Sequence, residues 1–159
     1  MPRLIKGESI IDNDWQWIPA DFAGDLPAGK LLVPMARWLA DKGGEGRELA
    51  PWIDSEDDIE PVASQLLTAP LIAVNFPTFM DGRGFSTARL LRERYGYQGE
   101  LRAVGHVIQD QLFFLKRCGF DAYDLREGTN LENALASLNA FTVTYQAATD
   151  TAEPLFRRR

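Results

Sequence analysis

The chain of 159 residues predicts an α/β fold: a mainly parallel sheet of five or six strands with flanking helices, preceded by a short N-terminal β-hairpin. Three observations lead there. From Leu31 onward, short apolar runs alternate with helical patterns, the rhythm of parallel strands joined by crossovers. The run Leu71–Phe76 is apolar at nearly every position, as in a strand buried on both faces. The helix boundaries carry local capping signals that fit short right-handed crossovers. Flavodoxin-like strand order is the first expectation, and a partial barrel is the alternative.

The elements follow in order. Residues 3–17 read as the hairpin, with apolar runs flanking Lys6-Gly7-Glu8 and a further turn at Asn13-Asp14. Residues 19–30 are rich in Pro, Gly and Asp and read as a surface connection. Strands are expected at Leu31–Val33, Leu49–Ile53, Leu71–Phe76, Leu101–Val104, Ala122–Leu125 and Phe141–Tyr145. Helices are expected at about 35–42, 56–67, 85–95, 107–118 and 130–138. Asp54-Ser55-Glu56-Asp57-Asp58 offers N-caps and an acidic first turn, which suits the helix dipole. Ile108, Leu112 and Leu115 share one helical face, and Gly119 is placed to end that helix in the left-handed conformation. Thr129 or Asn130 can cap the next helix, which buries Leu131, Leu135 and Leu138. Residues 1–145 make one domain on this reading, and 146–159 a mobile tail.

Composition narrows the functional classes. Hydrophobic residues make up 45% and charged residues 25%, which is a globular balance. One cysteine, Cys118, excludes an intramolecular disulfide and a cysteine-held cluster or zinc knuckle. At Lys116-Arg-Cys-Gly119 it sits at a helix end, where the dipole opposes a thiolate, and it reads as a buried, inert thiol. No apolar run approaches a membrane span, and the expected setting is the cytoplasm. The net charge of −6 argues against nucleic acid, whose binding draws on phosphate neutralisation. Residues 1–70 hold 6 basic and 13 acidic side chains, whereas 71–159 hold 11 and 10. The arginines of the second half therefore suit a small anion, an ion-pair network or an acidic partner.

In parallel sheets, ligands bind beyond the C-terminal strand ends. That rule points to the loop and helix start after Leu71–Phe76, where Asp81, Gly82, Arg83, Gly84, Ser86 and Arg89 form an expected anion-binding set. Arg126, after Ala122–Leu125, joins that set, because guanidinium forks and helix N–H groups both suit an oxyanion. His106 and Asp110 follow the Leu101–Val104 strand and are the weak candidates for acid–base catalysis, with Gln109 beside them. The structural reading of the same residues is plain. Asp81 with Arg83, or Asp110 with Arg126, would be ion pairs, and Gly82 and Gly84 would permit positive φ. The loop is neither a Walker loop nor a Gly-x-Gly-x-x-Gly turn. Trp15, Trp17, Trp38 and Trp52 read as too scattered to form an aromatic cofactor box. No metal site and no cofactor motif is evident, with flavin and NADPH left open.

The run Phe79-Met-Asp-Gly-Arg-Gly-Phe-Ser-Thr-Ala-Arg-Leu-Leu-Arg-Glu-Arg94 resembles a bacterial family of unknown function (DUF934-like) whose members are described as oxidoreductases of sulfite reduction. Gly99–Gly105, Asp110–Asp121, the Met1–Lys6 start and Leu32-Val-Pro34 also fit. The resemblance implies a place in assimilatory sulfur metabolism, with sulfite reductase as a partner and an oxyanion as ligand. An oxidoreductase activity rests on the resemblance alone. The expected function is an accessory protein that binds an oxyanion or docks to the reductase. A nucleotide- or flavin-dependent reductase and a ligand-free interaction module are the alternatives.

Overall fold

The computed structural model describes residues 2–40, 46–77 and 82–145. Asp81 and the expected tail 146–159 lie outside them. The strands are β1 (Arg3–Lys6), β2 (Ser9–Asp12), β3 (Trp15–Trp17), β4 (Gly29–Pro34), β5 (Arg47–Ile53), β6 (Leu71–Phe76), β7 (Glu100–Gly105) and β8 (Ala122–Tyr123). The α-helices are α1 (Met35–Ala40), α2 (Ala63–Leu66), α3 (Arg83–Arg89), α4 (Leu112–Cys118) and α5 (Leu131–Tyr145). Short 3-10 turns precede α2 and α4, and a π-helical turn, Leu90–Arg94, extends α3.

The described strands form one sheet in the order β2-β1-β8-β7-β6-β5-β4-β3. From β3 to β8 every strand lies parallel beside its neighbour in sequence. β1 runs antiparallel to β8, and β2 antiparallel to β1. This corrects the expected five- or six-stranded parallel sheet and its flavodoxin-like order. The hairpin does not stand apart: β1 and β2 extend one edge, while β3 crosses to the other. Strand succession never reverses, so the topological switch point of a doubly wound sheet does not arise.

The chain itself shows how strongly the sheet curls. Asp12 ends one edge strand and Trp15 begins the other, three residues later. Three trans peptides span at most about 11 Å, so the two edges approach within that distance. The result is a curled, half-barrel sheet with an inner and an outer face. Strand alternation sorts the apolar residues between them. Leu31, Val33, Leu49, Ile72, Val74 and Leu101 pack outward against Leu66, Leu91, Leu112, Leu115 and Leu138 of the helical layer. Leu32, Ala50, Trp52, Leu71, Ala73 and Val104 fill the inside. Both faces bury apolar side chains, which is why these strands read as nearly continuous apolar runs.

Other boundaries shift for local reasons. The expected strand Phe141–Tyr145 is instead the last part of α5. Asn130 starts that helix, its Oδ1 accepting from Asn133 N at 2.9 Å, and no Gly or Pro interrupts the sequence before Tyr145. The helix expected at 56–67 shrinks to Glu60–Leu66. Its acidic residues close their own turn, with Asp54 N donating to Asp57 Oδ2 at 2.8 Å and Glu60 N to Asp58 Oδ1 at 3.1 Å. Gly119 does end α4 in the left-handed conformation, with φ of 116°. Cys118 is buried at that helix end, as expected.

Candidate functional site

Register places one layer of residues at the C-terminal mouth of the half-barrel. Trp52, Ala73 and Arg102 lie level with one another and with Ala122. Two residues further along each strand come Asp54, Asn75, Val104 and Asp124, the next inward positions. Asn75 Nδ2 donates to Asp54 Oδ1 at 3.2 Å. Trp17, Asn75, Val104, Gly105 and Asp124 line a recess of about 340 Å³ in this mouth. Its polar groups meet an apolar floor, the usual composition of a small-ligand site.

The aromatic part of the recess comes from strands far apart in sequence. Trp17 pairs with Leu32, which pairs with Ala50, so Trp52 stands diagonally across the same face. The two indoles stack with centroids 4.3 Å apart. Trp52 is fixed by its Nε1, which donates to Ile18 O at 2.9 Å, while Trp17 stays 38% exposed. Parallel pairing thus brings Trp17 and Trp52 together, two of the four tryptophans that read as scattered in the sequence.

Asp124 is held from below by a polar chain inside the sheet. Lys6 Nζ meets Glu100 Oε1 at 3.1 Å, and Arg102 Nε meets Glu100 Oε2 at 2.7 Å. Arg102 is only 3% exposed, so its charge requires this pairing. Its Nη1 donates to Asn13 Oδ1 at 3.1 Å, as does Trp15 N at the same distance. With two donors fixing that oxygen, the Asn13 amide turns its Nδ2 to Asp124 Oδ2, at 3.4 Å. Burial raises the Asp124 pKa above the ordinary aspartate value, and Arg102 opposes the shift. Gly105 has φ of 90°, and a Cβ there would run into Asn75 Oδ1 and Phe76 O. The close approach of β6 to the turn after β7 therefore requires glycine.

A second recess, of about 380 Å³, opens on the other side of Asp124. Arg126, Glu127, Gly128 and Thr129 line it together with Arg3 and the first residue of α5, Leu131. Arg3 is engaged with Glu132 at 3.5 Å. Among the described residues Arg126 has no ion-pair partner, and its guanidinium is exposed.

The expected anion-binding set divides. Arg126 reaches a recess, but Gly82, Arg83, Gly84, Ser86 and Arg89 line neither this one nor the mouth. Gly82 and Gly84 do not take positive φ. Gly84 is buried because Phe76 occupies the space a Cβ would need. Arg83, Ser86 and Arg89 are exposed along α3, and Thr87 Oγ1 donates to Arg83 O at 3.0 Å. His106 is partly buried, its backbone N–H donating to Phe76 O at 2.7 Å. Asp110 and Gln109 line a separate recess of about 210 Å³ against Ser137 and Leu138 of α5. His106 and Asp110 therefore do not share one described recess. Asp110 and Arg126 do not pair with each other.

Asn75 and Asp124 are not among the expected site residues, which follow the strand ends. Both lie on the last inward position of a strand line, and a polar residue within Leu71–Phe76 was the available signal. No group of His, Cys, Asp and Glu able to hold a metal occurs among the described residues, and none of their helices is long and apolar enough to cross a membrane. A family model described as "Bacterial protein of unknown function (DUF934)" matches residues 50–156. No curated protein and no solved structure matches the chain.

Proposed function

The chain belongs to this bacterial family, DUF934, and on that premise we propose that it is an accessory protein of assimilatory sulfite reduction. It binds an oxyanion beside Arg126 and docks to sulfite reductase. The carrying observation is the recess after β8, where the exposed Arg126 guanidinium stands beside the first turn of α5. Guanidinium donors and first-turn N–H groups together favour a small anion. Sulfite has the size and charge for such a place, and the resemblance to proteins of sulfite reduction supplies the metabolic setting.

Calorimetric titration with sulfite, sulfate and phosphate tests the binding step. Arg126→Ala is expected to weaken sulfite binding about tenfold, the loss of a charge-assisted hydrogen bond. Arg83→Ala, on the surface of α3, is expected to change it less than twofold. Equal and negligible heats for wild type and Arg126→Ala remove the oxyanion reading. The pathway assignment has its own test in a gene-deletion strain given sulfate, sulfite or sulfide as sole sulfur source. Growth restored only by sulfide supports it, and unimpaired growth on sulfate overturns it.

A further inference from the structure

The mouth recess on the Trp17 side of Asp124 is not used by the oxyanion reading, and its groups are of another kind. Its aromatic wall is Trp17, backed by Trp52 at 4.3 Å and still 38% exposed. Its acceptors are Asp124 and the Asn75 amide oxygen, which lies against Gly105 while Asn75 Nδ2 is engaged with Asp54. Among the described residues the Asp124 carboxylate receives one hydrogen bond, a long one of 3.4 Å from Asn13. A partly buried carboxylate with one long protein hydrogen bond keeps acceptor capacity open to the recess. A carboxylate presents two parallel lone pairs and is best met by two adjacent N–H groups.

We propose that this recess binds a planar nitrogen heterocycle with two adjacent N–H donors, the edge that guanine and pterins share. The ring stacks on Trp17 and sets its donor edge on Asp124, with Val104 beneath it and the Asn75 oxygen at its side. Gly105 keeps the entrance clear, since any side chain there would displace Asn75. The volume of about 340 Å³ accommodates a bicyclic ring. Stacking supplies affinity for any base, and the carboxylate supplies the choice among them.

The probe is guanosine, which carries no anionic group, followed by tryptophan fluorescence and by the indole N–H resonances of 15N-labelled full-length protein. Saturable binding with a Kd below 1 mM, on the order expected for one stacked and doubly bonded ring, moves the Trp17 indole signal. Trp17→Leu and Asp124→Asn each weaken it about tenfold or more, and adenosine, which lacks the donor pair, binds at least tenfold less tightly. Asp124→Asn leaves the fold intact, as circular dichroism verifies. Arg126→Ala leaves guanosine binding unchanged, so failure of the oxyanion reading and failure of this one are separate results. Guanosine binding that survives both Trp17→Leu and Asp124→Asn overturns the proposal, as does absence of saturation with guanosine and pterin alike. Tighter binding of N-acetylarginine amide, whose guanidinium also offers paired donors, overturns it in favour of an arginine side chain as the occupant.

Discussion

Asp124 is an aspartate whose charged form the folded protein disfavours, because burial outweighs the nearby Arg102. A carboxyl whose pKa rises on folding holds its proton more tightly in the native state. Its contribution to stability is therefore greatest below the ordinary value of 3.8 and is lost as pH rises through the raised, folded-state value. Asp121, raised mainly by burial as well, acts in the same direction. Asp14 is the reverse case: hydrogen bonding from Lys30 lowers its pKa, so its contribution is lost as pH falls. That pair is exposed and its effect small. Asp124→Asn is expected to raise the Tm at pH 7, because it removes a charge that folding disfavours. The gain should fade below about pH 4, which calorimetric scans across pH will check. A gain independent of pH would assign the effect to something other than charge. Folding thus keeps at this position a charge that it disfavours. Sequence alone could not reveal this, because the Asp124 environment comes from Asn13 and Arg102, which are distant in the chain.

At the scale of elements, local signals were legible and long-range pairings were not. Gly119 as a helix terminator and Asn130 as a cap follow from short-range chemistry, and both hold. The run Phe141–Tyr145 reads as a strand, yet the helix begun at Asn130 continues through it, because propagation costs little once a helix is nucleated. Arg92 is one of the second-half arginines that suit a small anion, an ion-pair network or an acidic partner on the sequence reading. In the structure its Nε donates to Gly119 O at 2.8 Å, and its Nη1 donates to Tyr97 O at 2.8 Å and Gly99 O at 2.7 Å. It joins the π-helical end of α3 to the turn after α4. Arg92→Ala should therefore destabilise by about 3 kcal/mol, measured by urea unfolding, since three carbonyls lose a charged donor. Arg94→Ala is the contrast, because its pairing with Glu60 at 3.2 Å is exposed on both sides. It should shift the urea midpoint little. Equal losses for the two variants would remove the structural role given to Arg92.

At the scale of the whole molecule, the alternation of strands and helices correctly gives parallel pairing from β4 to β8, but it does not give the sheet's edges. Those depend on which strands the segment 3–17 joins, and its local pattern fits a free hairpin equally well. The observed pairing of β1 with β8 matches Ile5 with Tyr123 and Lys6 with Ala122, across well over a hundred residues of chain. All parallel neighbours, by contrast, are a single crossover apart. This difference bears on time rather than on equilibrium. Contacts that close the longest loop tend to form after the local ones, so the β1–β8 seam should still be open at the folding barrier. Ile5→Val, at a fully buried position in that seam, is then expected to speed unfolding roughly fivefold for about 1 kcal/mol lost, with the folding rate nearly unchanged. Ile72→Val, at the centre of β6, should chiefly slow folding instead. Stopped-flow chevrons of the two variants decide the matter, and a slowed folding limb for Ile5→Val would sink it. On this reading the lifetime of the folded protein depends on the β1–β8 seam: the pairing secured last is the one whose release opens the molecule.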